Sequence, residues 1–232
     1  MKIKKAIILS AGYGKRLKPI TLSKPKPLLE INKKTLLENT IDILENFGIE
    51  EIVINIHYLS EKISAFVSSK KFNSKIILKE EKNEILDTGG GVLNAARDFK
   101  DEPFFVLNPD TVWALSYKED FIAMEEKYFD SNHKSILLVV DKIKSFDKTM
   151  VGDFNLKENT LNRDFKEKKY IYTGCQILNN SVFKDKRIKP FSINLIWDLL
   201  IKNNDLLGIK SEQEFLHVTN LKIYNELIKK EL

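Results

Sequence analysis

Cysteine is almost missing from this 232-residue chain: Cys175 is the only one. No internal disulfide can form, which fits a reducing compartment. As a nucleophile Cys175 would need a base beside it. Its context, YIYTGCQIL, reads instead as a buried strand, so core packing is expected. Long apolar runs are missing too. The apolar-rich run 6–11 is too short for a secretory signal. No run approaches the roughly 20 apolar residues of a membrane span. A soluble, cytoplasmic protein with no membrane partner is the expectation. Internal repeats, low-complexity tracts and linkers are absent, so one domain over 1–232 is expected, in two halves, 1–110 and 111–232. No stripe of Lys and Arg interleaves with aromatics, which argues against a nucleic-acid partner. There is no Ser-His-Asp or paired-carboxylate signature.

What is present is positive charge in one place. Residues 1–34 hold ten Lys and Arg against the single acid Glu30, a local charge of +9 in a chain of +5. The remainder is therefore −4. Within that segment, residues 7–27 read IILSAGYGKRLKPITLSKPKP. An apolar run ends in a Gly-x-Gly turn, and basic residues follow. Gly12 and Gly14 permit close backbone approach, and the amides of such a turn can cradle phosphate. Leu17 stands where a dinucleotide fingerprint needs a third glycine, so that motif is excluded. Pro25 and Pro27 bracket Lys26 and stiffen the chain around it.

Short apolar runs alternate with helical patterns. Strands are expected at Lys5–Leu9, Glu51–Ile56, 75–79 and 103–107. Helices are expected at 35–47, ended by Gly48, at 60–69, capped by Ser60, and at about 91–98. Such alternation implies parallel strands with right-handed crossovers, and ligands at the strands' carboxyl ends. The Gly-x-Gly turn, the loop before Asp87, and Asn108-Pro109-Asp110 all fall at those ends. After Asp110, strands are expected at 135–140, 149–155 and Tyr170–Leu178, with a charged turn over 161–170. A helix at 193–202, one or two strands within 206–218 and a helix at 219–230 complete the reading. The fold class is α/β, a Rossmann-like mixed, mostly parallel sheet flanked by helices.

Residues 6–27 resemble the signature of sugar-1-phosphate nucleotidyltransferases: an apolar strand, Ala-Gly-x-Gly-x-Arg-Leu-x-Pro-x-Thr, then Pro-Lys-Pro. This chain has Ala11-Gly12-Tyr13-Gly14-Lys15-Arg16-Leu17-Lys18-Pro19-Ile20-Thr21, then Pro25-Lys26-Pro27. The resemblance implies a GT-A-like fold and transfer of a nucleotidyl group from a nucleoside triphosphate to a sugar-1-phosphate. It implies that Ala11, Gly12, Gly14 and Lys15 hold the triphosphate, that Arg16 stabilises the α-phosphate and leaving pyrophosphate, and that Lys26 contacts the phosphates of both substrates.

The segment Leu86-Asp87-Thr88-Gly89-Gly90-Gly91 opens a helix. By itself it reads either as a helix cap at Asp87 and Thr88 or as a close backbone approach to a flat group. The resemblance implies a nucleobase loop, with Asp87, Gly89 and Gly90 in contact. Its wording is similar to the branch containing N-acetylmuramate-1-phosphate uridylyltransferase, which favours UTP, and some mannose- or heptose-1-phosphate guanylyltransferases share it. In Asn108-Pro109-Asp110, Asn108 is expected on the nucleotide. Asp110 resembles the family's metal-binding aspartate, which implies Mg²⁺ with Mn²⁺ as the other candidate. Trp113 fits either the sugar pocket or the core. Gly152 and Gly174 resemble segments near the sugar and equally fit bulges.

The C-terminal part departs from the family. A Trp-x-Asp-Val/Ile-Gly-Thr-Pro/Leu segment is expected to complete the metal site, and this chain reads Phe215-Leu216-His217-Val218-Thr219-Asn220-Leu221. His217 stands at the aspartate position. Three readings stay open: metal held by the single carboxylate Asp110, an altered metal preference, or lost activity. A cytidylyltransferase acting on a non-sugar phosphate and a non-catalytic nucleotide-sugar sensor are the alternative functions.

Overall fold

The computed structural model describes residues 1–131 and 133–230. In chain order the elements are β1 (Lys5–Leu9), β2 (Glu30–Ile31), β3 (Lys34–Thr35), α1 (Leu36–Phe47), β4 (Glu51–Ile56), α2 (Ser60–Ser68), β5 (Lys75–Glu80), α3 (Asp87–Ala96), β6 (Phe104–Leu107), α4 (Tyr117–Phe129), β7 (Ser135–Asp141), β8 (Asn155–Lys157), β9 (Thr160–Asn162), β10 (Tyr170–Leu178), α5 (Asn194–Lys202), β11 (Leu207–Ser211) and α6 (Leu221–Leu227). Nine strands form one sheet in the order β5-β4-β1-β6-β10-β7-β11-β9-β8. Strands β10 and β9 run against the other seven. The sheet is thus mixed and mostly parallel, as expected, and it draws strands from both halves of the chain.

The central strands are apolar throughout because both faces are covered. Side chains alternate between those faces. Ala6 and Ile8 of β1 join Ile52, Ile54, Phe105 and Leu107 against α1, α2 and α4. Ile7 joins Val53, Phe104 and Val106 against α3 and α5. Helix α1 begins where Thr35 accepts the Glu38 N–H at 3.1 Å, and it stops at Gly48, whose φ is 106°.

Several boundaries differ from expectation. Ser60 does not cap α2; Leu59 precedes the helix in a left-handed conformation, and the Ser60 hydroxyl donates to Glu80 instead. Helix α3 starts at Asp87, so the triple glycine lies inside it. No strand spans 149–155: pairing there begins at Phe154, which bridges Tyr170, and β8 follows. The turn over 161–170 contains part of β9. Helix α6 is shorter than 219–230, and Asn220 caps it by accepting the Ile223 N–H at 3.1 Å. Helix α4 was not expected. Tyr117, Phe121 and Met124 make its buried stripe, and Tyr128 continues it half-buried, but the exposed Ile122 and the buried acid Glu125 blur the period. No helix among the described residues is long and apolar enough to cross a membrane.

Candidate active site

A cleft of about 330 Å³ opens at the carboxyl ends of β1, β4 and β6. Its wall includes Ala11, Gly12, Gly14, Lys15, Arg16, Lys26, Asp87, Asn108 and Asp110. Residues from four separate stretches of sequence therefore meet on one surface, at the strand ends where the alternation placed them.

The loop after β1 keeps its shape through short-range bonds. Gly14 has φ 61°, and a Cβ there would meet Thr21 Cγ2 at 2.9 Å. Only glycine fits, because the Thr21 hydroxyl must close in to donate to the Gly14 carbonyl at 2.9 Å. The Tyr58 hydroxyl clamps the same turn by donating to the Thr21 carbonyl at 2.8 Å. Arg16 borders the cleft and has no carboxylate partner among the described residues. Its guanidinium is a free anion receptor.

At the cleft floor the Lys26 ammonium donates to Asp110 Oδ2 at 2.6 Å. Burial opposes the charge on Asp110. The neighbouring His217 and Lys26 outweigh that effect, and the Asp110 pKa falls to about 2. Asp110 Oδ1 is buried and has no hydrogen-bond partner. A buried carboxylate oxygen left bare is costly unless a ligand satisfies it. Hard divalent cations prefer oxygen donors and take most of their other ligands from phosphate and water, so Asp110 fits such an ion. No cluster of three or more His, Cys, Asp or Glu able to hold a metal occurs among the described residues.

His217 lies beside this pair. Its Nε2 is 3.6 Å from Asp110 Oδ2. Burial lowers the His217 pKa, Asp110 works against that, and Lys26 and Arg16 reinforce it. Neighbouring Thr219 also borders the cleft, where its hydroxyl donates to Asp147 at 2.5 Å.

A buried network at the other end of the cleft had no local signal in the sequence. Asn55 Oδ1 accepts the Ser10 N–H at 2.8 Å, Asn55 Nδ2 donates to Glu81 Oε1 at 2.7 Å, and Glu81 Oε2 accepts the Leu86 N–H at 2.7 Å. Three strand ends and the entry to α3 are thereby tied together. Asp87 follows with φ 58°, a strained conformation for a side chain with Cβ. Its Oδ1 accepts the Thr88 N–H at 2.6 Å, and the residue faces the cleft.

Gly89 and Gly90 do not face the cleft. A Cβ on Gly89 would meet the Phe191 ring at 2.3 Å, and one on Gly90 would meet the Lys189 carbonyl at 2.2 Å. Their amides already donate to the Phe191 carbonyl at 2.9 and 3.1 Å. The glycines seat the 189–191 strap on α3, which corrects the expectation that they approach a nucleobase. Thr88 helps by accepting the Ile193 N–H on its hydroxyl at 2.9 Å.

Trp113 is 2% exposed and packs on Tyr117 and Phe121, as the core alternative expects, and it does not line the cleft. Its Nε1 donates to the Asn108 carbonyl at 3.2 Å and braces the Asp110 loop from behind. It borders a separate cavity of about 640 Å³. Gly174 sits at a β10 bulge, and its carbonyl accepts the Asn108 N–H at 2.8 Å. Gly152 packs against the Lys168 carbonyl and does not line the cleft. Cys175 is buried with a raised thiol pKa from desolvation, an inert core residue as expected.

The chain is similar to known proteins. The family model described as nucleotidyl transferase matches residues 5–190. The chain is 27% identical to N-acetylmuramate alpha-1-phosphate uridylyltransferase of Caulobacter vibrioides, over 92% of this chain and 90% of that protein. It is 34% identical to the mannose-1-phosphate guanylyltransferase catalytic subunit beta of Drosophila melanogaster over 82% of this chain, but spans only 52% of that protein. Among solved structures, HddC from Yersinia pseudotuberculosis complexed with GMP-PN superposes with a TM-score of 0.78 at 25% identity, over 98% of this chain and 99% of that one. The chain belongs to the nucleotidyl transferase family.

Proposed function

We propose that the protein joins a nucleoside triphosphate to a sugar-1-phosphate, making a nucleotide sugar and pyrophosphate. The observation that carries this reading is the Lys26–Asp110 pair at 2.6 Å on the floor of a glycine-lined cleft, with one Asp110 oxygen left bare. A phosphate oxygen of the sugar-1-phosphate attacks the α-phosphorus, in line with the departing pyrophosphate. The nucleophile is already an anion, so no strong general base is needed. Positioning and charge neutralisation do the catalysis.

Each residue has a part in that scheme. The amides around Gly12 and Gly14 receive the triphosphate. Arg16, with no carboxylate partner among the described residues, takes the negative charge that builds on the leaving group. Lys26 bridges the phosphates of the two substrates. Asp110 would hold a divalent ion such as Mg²⁺, which when bound neutralises phosphate oxygens. The Asn55–Glu81 network holds the far end of the cleft in shape, and Asp87 faces the bound base.

UTP is the nucleotide we favour, because the uridylyltransferase relative matches over 90% of its length. GTP is the second reading, since the HddC structure holds a guanine nucleotide analogue. A pyrophosphate-release screen of UTP, GTP, CTP and dTTP against a panel of sugar-1-phosphates tests both. Release with UTP and one sugar-1-phosphate is expected. Release only with GTP would replace the first reading by the second, and nucleotide binding without release would make the protein a sensor.

A further inference from the structure

The position of His217 is set by backbone pairing, not by chance contact. Thr111 and His217 form an antiparallel bridge, the Val112 N–H donates to the Leu216 carbonyl at 2.8 Å, and the Val218 N–H donates to the Asp110 carbonyl at 2.8 Å. The ring is stacked on Phe215, with centroids 5.5 Å apart and planes 20° from parallel. Only 14% of the side chain is exposed.

Hydrogen bonding selects its tautomer. Nδ1 lies 3.2 Å from the Thr111 hydroxyl oxygen. That hydroxyl donates its single proton to the Thr173 carbonyl at 2.6 Å. The oxygen can therefore only accept, so Nδ1 carries the ring proton. In the neutral ring this tautomer leaves the lone pair on Nε2, 3.6 Å from Asp110 Oδ2. Two electron-pair donors face each other with no proton between them. The other Asp110 oxygen is buried and bare. Asp147 is nearby but already accepts from Thr149 and Thr219 through both oxygens. Ligands held at about 2.1 Å from one ion stand roughly 3–4 Å apart, which this pair already satisfies. The Nδ1–H to Thr111 contact is the outer bond that a metal-bound imidazole characteristically makes.

We propose that the Asp110 carboxylate and His217 Nε2 form a mixed carboxylate–imidazole site that takes Mn²⁺ in preference to Mg²⁺. Imidazole suits borderline transition metals, whereas Mg²⁺ favours oxygen. Lys26 stands on Oδ2 at 2.6 Å and competes with the ion for it. The proposal rests on the nucleotidyl-transfer reading only for the phosphate oxygens that complete the shell.

Pulsed electron paramagnetic resonance of the purified protein with Mn²⁺ alone tests this directly. The expected result is a ¹⁴N modulation from a directly bound imidazole, lost in both His217→Asp and His217→Gln, with circular dichroism confirming that each variant folds. Competition titration should show Mn²⁺ binding at least tenfold tighter than Mg²⁺, with His217→Asp narrowing or reversing that ratio. A Mn²⁺ signal without ¹⁴N modulation, or a ratio unchanged in His217→Asp, overturns the proposal. Pyrophosphate release is scored separately: release without the ¹⁴N signal leaves nucleotidyl transfer standing and removes the mixed site. The ¹⁴N signal without release keeps the site and removes the transfer reaction.

Discussion

The ammonium of Lys26 and the carboxylate of Asp110 meet at 2.6 Å, although 84 positions separate them in the chain. Strand β6 delivers Asp110, and the turn between Pro25 and Pro27 delivers Lys26. Both side chains are mostly buried, at 15% and 22% exposure. Removing either should therefore strip the centre of charge while leaving the sheet intact. Lys26→Ala and Asp110→Ala are each expected to lower pyrophosphate release by about 100-fold or more, the scale on which charge-stabilising groups act. Circular dichroism and thermal midpoint of each variant check that the fold survives.

Asp110 also makes stability depend on pH. Its pKa is about 2 in the fold against 3.8 ordinarily. A lowered carboxylate pKa stabilises the fold above the unfolded value and loses that contribution as pH falls through the folded one. The window is therefore between about pH 4 and pH 2, and the contribution is about 2 kcal/mol. Urea midpoints measured across this window should fall for the native protein. Asp110→Asn should show a shallower fall.

Gly90→Ala tests the strap. The added Cβ would sit 2.2 Å from the Lys189 carbonyl, a backbone atom that cannot swing away. Overpacking of this kind costs about 1–3 kcal/mol. The thermal midpoint should drop by roughly 2–4 °C for each kcal/mol in a chain of this size. An unchanged midpoint would show that the 189–191 strap is not seated on α3.

Asn55→Leu breaks the network behind the cleft. The Ser10 amide and the buried Glu81 carboxylate would each lose a partner. Leaving such groups unsatisfied costs about 1–3 kcal/mol each. We expect a lower thermal midpoint together with a raised KM for the nucleotide, because Ser10 and Asn55 both border the cleft. Calorimetry and steady-state kinetics read the two effects.

The parts of the site that were legible in the sequence are the parts built locally. Gly12 to Arg16, Lys26 and Asp110 announce themselves by spacing, by bracketing prolines and by their place after apolar runs. The strands that carry them are buried on both faces, so their apolar runs are unbroken. The Asn55–Glu81 link was not legible because its members are 26 residues apart and look like ordinary polar residues at strand ends. Gly89 and Gly90 misled because close backbone approach has two causes, a ligand or another segment, and here the segment at 189–191 comes roughly a hundred residues later. Trp113 stayed open between core and sugar pocket for a similar reason: nearness in sequence to Asp110 does not say which side of the strand end a ring occupies. Helix α4 escaped because an exposed Ile122 and a buried Glu125 hid the period. The geometry at His217 depends on Thr111 and Thr173, and nothing in the sequence ties either to position 217.

The central claim is that the Lys26–Asp110 cleft transfers a nucleotidyl group to a sugar-1-phosphate. It is tested most directly by pyrophosphate release from the native protein and from Asp110→Ala, measured with each nucleoside triphosphate in Mg²⁺ and in Mn²⁺. The account predicts release that requires both a triphosphate and a sugar-1-phosphate, and that falls at least 100-fold in the variant. No release from any pairing, or equal release from the folded Asp110→Ala variant, would contradict it.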